Sequence, residues 1–184
     1  MVNFYSRADF TAKPTQHPSI FKQAASAVMY RAKSWSLGVV CGVAAFPFQI
    51  VLTCLTSYLV NKVVENDAKV SDPISFTTMV IFVPLLEELV FRGAVQGGLS
   101  YVITSPTVRV LGTAALFSGI HLTNTKNGFF GAVVQSTVAA ISSAAIAGTL
   151  KEKTGTVFSS VGAHMANNGC VWGMLHLLQS VKTT

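Results

Sequence analysis

From Ser36 to Val60 the chain runs 25 residues without a charged side chain, "SLGVVCGVAAFPFQIVLTCLTSYLV". At a rise of about 1.5 Å per residue, a helix of that length crosses a hydrocarbon core of roughly 30 Å. Four further apolar runs follow, at about 75–99, 107–124, 127–150 and 156–178. The connectors "NKVVENDAKVSDP", "YVITSP", "NTKNG" and "KEKTG" are short and polar, with Pro or Gly where a helix would break. The pattern predicts an all-α, polytopic membrane bundle of about five spans. The first run starts far from residue 1 and ends in "SYLV", which suits a retained span and not a cleaved signal peptide.

Two runs have more detailed patterns. Residues 127–150 are rich in Gly, Ala and Ser, which let helix backbones approach closely in lipid, so this helix is expected to pack centrally. Ahead of the first span, "PSIFKQAASAVMYRAKSW" places apolar residues at 20, 21, 24, 25, 28 and 29. That spacing fits an amphipathic helix lying on the membrane surface, or a plain juxtamembrane leader. The chain therefore divides into a leader (1–35), a first span (36–60) and a membrane domain (75–178).

Composition supports the membrane reading. Hydrophobic residues make up 51% and charged residues 11%, against about 25% charged in a typical soluble domain. Mean hydropathy is +0.53. The net charge of +6 does not indicate a nucleic-acid partner, because Arg7, Lys13, Lys22, Arg31 and Lys33 precede the first span and the rest are scattered. With the N-terminus cytoplasmic, eight Lys/Arg fall on that side and four (Lys62, Lys69, Lys126, Lys182) on the other, as the positive-inside rule asks. Cys41, Cys54 and Cys170 sit in apolar runs without C-x-x-C spacing and are expected to be buried free thiols.

Against this background "FVPLLEELVFRGAV" is costly. Glu87, Glu88 and Arg92 are the only charges between Asp72 and Arg109, and each costs about 2.5–3.5 kcal/mol at mid-span on insertion scales. Glu88 and Arg92 are spaced i, i+4 with the acid first, the favourable order for a helical ion pair. Glu87 is turned about 100° away and is the freer carboxylate. A structural ion cluster would account for these three alone. His121 in "LFSGIHLTN", and His164 with Asn168 in "GAHMANNGC", add polar groups on two more spans. Counted from the proposed cytoplasmic ends, Glu87, His121, His164 and Asn168 all fall at roughly 12–18 Å depth.

The three stretches carry a resemblance. "EELVFRG", "FSGIH" and "HMANN" are similar to the E-E-x-x-x-R, F-x-x-x-H and H-x-x-x-N motifs of the CPBP (Abi) intramembrane proteases, which include the type II CAAX prenyl endopeptidases. They occur in the family's order, each on an apolar span. The resemblance implies an intramembrane endopeptidase in which Glu87 and His121 hold and deprotonate a water. His164 and Asn168 would then stabilise the oxyanion. Glu88 and Arg92 would fix the motif helix and its charge balance, and Phe117, one turn before His121, would orient the imidazole or simply fill core.

Two alternatives stay open. Glu87, His121 and His164 are the right residue types for three ligands of a catalytic zinc, although Asn168 is a poor zinc ligand and no H-E-x-x-H is present. A non-catalytic immunity or scaffold protein is the other, and loss of Glu87 separates it from an enzyme. The expected partners are a peptide or protein substrate at the membrane and the lipid bilayer, with no nucleic acid. Family members usually have six to eight spans, so a second copy of the chain or a partner helix is a candidate for a missing wall. The expected location is a bacterial plasma membrane, multi-pass. His176 is about 120° around the helix from His164 and is expected to pack; His17 is expected to be solvated.

Overall fold

Ile20–Leu59 forms one uninterrupted helix, α1, of 40 residues, about 60 Å long at 1.5 Å per residue. The sequence pattern suggested a separate leader helix and first span. With no Gly or Pro between Ser19 and Ser36, nothing breaks the backbone hydrogen-bond ladder, and the two are continuous. This computed structural model describes residues 19–59, 76–125 and 128–182; Arg7, Lys13, His17 and the connector after α1 lie outside them.

Four more helical elements follow. The second, α2, is a run of four segments: π-helical Thr77–Phe82, α-helical Val83–Glu88, π-helical Leu89–Val95 and α-helical Gln96–Leu99. Helix α3 is Pro106–His121, opened by Ser105, whose hydroxyl accepts from the Val108 N–H, with Pro106 in the first turn. Helix α4 comprises Gly128–Ser142, the π-helical Ser143–Gly148 and Thr149–Thr154. It ends at Gly155, whose φ of 65° is the left-handed conformation that favours glycine. Helix α5 is Val157–Lys182. Among the described residues there is no strand, and the fold is an all-α bundle.

By length and composition, two helical stretches can cross a membrane, Ile20–Thr56 within α1 and Gly128–Thr154, which is α4. The exposure pattern is that of a bundle in lipid. Leu86, Val90, Leu111, Leu116 and Ile120 point outward, while Glu88, Arg92, Gln96 and Thr113 are buried. Charged and polar side chains in a membrane protein turn inward this way because lipid offers them no partner. Cys41, Cys54 and Cys170 are free but not buried, and Cys54 is exposed. This corrects the expectation of buried thiols: much of α1 faces away from the bundle, so an apolar position there need not be a core position.

The expected central, small-residue helix α4 buries Gly131, Ala132, Val134 and Ser136. Ser118 of α3 and Ser136 exchange hydrogen bonds, each hydroxyl donating to the other's carbonyl at 2.8 Å. Gln49 of α1 donates to the Ser142 hydroxyl. The closest backbone approach is elsewhere, between α1 and α5. A Cβ on Gly38 would lie 1.9 Å from the Ser159 carbonyl oxygen, and one on Gly162 would lie 2.3 Å from that of Trp35.

A polar knot closes one end of the bundle. Glu152 of α4 is gripped by Arg109 of α3 through Nε at 3.1 Å and through Nη2. Arg109 Nη1 also donates to the carbonyls of Ile103 and Thr104. From α2, Gln96 Nε2 donates to Glu152 Oε1 at 2.9 Å and to the Gly148 carbonyl at 3.0 Å. Gln96 is 1% exposed, so its bonds are shielded from water. Gln96→Ala should cost about 2 kcal/mol, read as a fall of about 4–8 °C in Tm in detergent. A melt within 1 °C of the parent's would remove Gln96 from the packing account.

Candidate active site

The two adjacent glutamates of α2 sit in different surroundings. Glu88, fully buried, accepts from Arg92 Nη1 at 3.0 Å through Oε1. The i, i+4 spacing that suggested this pair survives although Arg92 lies within the π-helical segment that follows Glu88. The same Oε1 lies 2.8 Å from His164 Nδ1 of α5. Glu87 keeps 29% of its side chain exposed, and its Oε2 is 3.7 Å from His164 Nε2. His164 thus stands between the two carboxylates, with its tighter contact on Glu88.

His121 ends α3, and its Nδ1 lies 2.8 Å from the Phe117 carbonyl. A carbonyl only accepts, so Nδ1 carries the proton, and in the neutral ring Nε2 keeps its lone pair. The Phe117 ring binds the cluster together. It is 4.6 Å from the His121 ring, 6.1 Å from that of His164 and 5.0 Å from that of Phe91, centroid to centroid. The Arg92 guanidinium carbon stands 4.8 Å from the Phe117 ring centre, within cation–π reach. Phe117 is therefore more than filler: both histidines and the motif arginine rest on it.

Asn168 is on the same face of α5 as His164 but touches neither glutamate; its Nδ2 donates to the Met79 carbonyl at 2.9 Å. His176 packs on Trp172, 5.3 Å between ring centres, and takes no part in the cluster. Among the described residues, no three His, Cys, Asp or Glu side chains are grouped so as to hold a metal ion. The suggested set of Glu87, His121 and His164 does not fit a zinc in this arrangement. An open apolar groove between α3 and α4, lined by Pro106, Val110, Leu111, Ile141 and Lys153 among others, includes none of the motif side chains.

Sequence reasoning missed Gln96 and Thr113, both 1% exposed. The signal for Gln96 was available: Glu88, Arg92 and Gln96 recur every four residues on an apolar helix and mark one buried face. Thr113, one turn before Phe117 on α3, carried no such mark. Glu88 Oε2, Gln96 Oε1 and Thr113 Oγ1 are buried without a hydrogen-bond partner among the described residues.

Residues 69–170 match the family model of the Rce1-like type II CAAX prenyl endopeptidases, which is more than half of the 184-residue chain. The chain belongs to this family. The match takes in α2, α3 and α4 whole and α5 as far as Cys170, so all three motifs of this Rce1-like chain lie inside it. No curated protein and no solved structure matches the chain. Membership places it among membrane-embedded CAAX endopeptidases, and the outward-facing apolar surface agrees with that environment.

Proposed function

We propose that the chain is an active intramembrane endopeptidase that hydrolyses a peptide bond with water activated by Glu87 and His121. The observation that carries this reading is the division of labour between the two glutamates. Glu88 is fully buried and committed to Arg92, while Glu87 retains access and is not tied to that pair. A base must reach its water, and only Glu87 can. The lone pair on His121 Nε2 supplies a second acceptor for that water.

Attack on the scissile carbonyl moves a proton from water to Glu87 and forms an oxyanion, and Glu87 then returns the proton to the leaving amine. His164 and Asn168 stabilise the oxyanion by donating hydrogen bonds. With Nδ1 engaged by Glu88, Nε2 is the ring nitrogen of His164 left to face the oxyanion. No step is routed through a metal. The substrate class is a membrane-proximal peptide, with prenylated C-terminal sequences as the first candidates from the family. The protein would act in a plasma membrane, with its N-terminus and the scissile bond on the cytoplasmic side.

The test is cleavage by purified protein in liposomes, using a farnesylated CAAX peptide and its unprenylated form. Glu87→Gln should lower the rate by at least about 100-fold, the scale of a lost general base, with Tm unchanged. Activity should persist in chelator. Loss in chelator would move the reading to a metallopeptidase. Cleavage that survives Glu87→Gln would remove Glu87 as the base, and no cleavage of any probe would favour a non-catalytic scaffold.

A further inference from the structure

The N-terminal π-helical turn of α2 leaves a carbonyl that the backbone cannot satisfy. Val83 N–H bonds to the Thr78 carbonyl, five residues back, so the next donor in that register is residue 84, opposite the Met79 carbonyl. Residue 84 is proline, which has no N–H. In a lipid-embedded helix an unsatisfied carbonyl is expensive, and another group must supply the bond. Asn168 of α5 supplies it, donating from Nδ2 at 2.9 Å.

Pro84 is itself fully buried and stands one turn before Glu88, on the buried face that continues through Arg92 and Gln96. Around this contact α2 and α5 run antiparallel. His164 meets Glu88, Asn168 meets Met79, and Trp172 stacks edge-on against Phe76 with ring centres 4.9 Å apart. The amide of Asn168 has two N–H bonds in one plane. Spending one on Met79 fixes the direction of the other, on the face that also carries His164.

We propose that Pro84 is a positioning residue: it vacates the Met79 carbonyl, and that carbonyl holds Asn168 with its second N–H turned toward the reacting carbonyl. The replacement of a backbone donor by Asn168 stands on the hydrogen-bond geometry alone. Its catalytic consequence rests on the hydrolytic reading given above.

A double-mutant cycle separates the two. Asn168→Leu should lower Tm in detergent by about 4–8 °C, because it strands the carbonyl. Pro84→Ala returns an N–H to the Met79 carbonyl and should leave Tm within about 2 °C or raise it. In the Pro84→Ala background, Asn168→Leu should cost less than half its original fall. Equal falls in both backgrounds would overturn the proposal. If Asn168→Leu alone does not accumulate, recovery of folded yield by Pro84→Ala supports the bond, and failure of both proteins overturns it.

In liposomes with the farnesylated CAAX peptide, Pro84→Ala should lower kcat about tenfold and leave KM within twofold, a fraction of the loss typical of a deleted oxyanion donor. A wild-type kcat overturns the positioning role. A parent protein that cleaves nothing sinks the hydrolytic reading and with it that role, and the Tm cycle then decides the hydrogen bond by itself.

Discussion

Glu88→Ala is expected to destabilise the bundle by at least about 3 kcal/mol, the scale for breaking a buried ion pair by removing one partner. The substitution takes away the carboxylate oxygen shared by Arg92 Nη1 and His164 Nδ1. The Arg92 charge stays behind at 1% exposure, in a site where neither water nor lipid can solvate it. Set against a total stability of about 5–15 kcal/mol, that loss is a large share. It should appear as a fall in Tm of at least about 6 °C, or as loss of the monodisperse species by size exclusion. Glu88→Gln keeps an acceptor of the same shape and should cost less.

Replacing the pair together, Glu88→Leu with Arg92→Met, should recover much of the loss, because apolar side chains avoid the desolvation penalty that the pair bears. Recovered stability should come without recovered cleavage, since His164 then has no carboxylate on its Nδ1 side. If Glu88→Ala melts within about 2 °C of the parent, the buried pair is not a structural element of the fold.

The five helices were legible because a lipid-facing chain writes its elements as long apolar runs, and the ends of α2 to α5 fall within a few residues of those runs. The Glu88–Arg92 pair was legible for a related reason: both groups lie on one helix, where spacing alone fixes their angle. Contacts between helices were not. Sequence depth brings His164 level with the glutamates, yet it cannot say that its ring would bond to Glu88 at 2.8 Å and stand 3.7 Å from Glu87. That depends on how α5 is rotated against α2. The π-helical segments were also hidden, since a period of 3.6 was assumed throughout. With them went the vacant Met79 carbonyl and the bond from Asn168, although Pro84 was in plain view. The polar seam of Gln96 and Thr113 was overlooked because uncharged polar residues hardly disturb a hydropathy profile.

Gly38→Val should be the most damaging single change outside the polar cluster. Gly38 and Gly42 are four residues apart on α1, a small-xxx-small pair of the kind that lets membrane helices touch at the backbone. Opposite them, α5 offers Ser159, Gly162 and Ala163. A Cβ on Gly38 would stand 1.9 Å from the Ser159 carbonyl oxygen, and one on Gly42 would stand 2.3 Å from that of Ala163. Those obstacles are backbone atoms, so no rotamer change relieves them, and the helices must separate by an ångström or more. Separation forfeits packing along the whole crossing, because dispersion contacts fall off steeply with a gap of even 0.5–1 Å. It also shifts α5, which carries His164 and Asn168 against α2. The expected result is a loss of about 3 kcal/mol or more, at the upper end of overpacking costs, and cleavage reduced in parallel. Gly38→Ala should fail in the same direction by a smaller margin. The control is Gly112→Ala on α3, where an added Cβ meets nothing within 4 Å; in a helix interior it should leave Tm unchanged or raise it. Equal melting of Gly38→Val and Gly112→Ala would mean that α1 and α5 do not meet at these glycines, and the placement of His164 would then need another support.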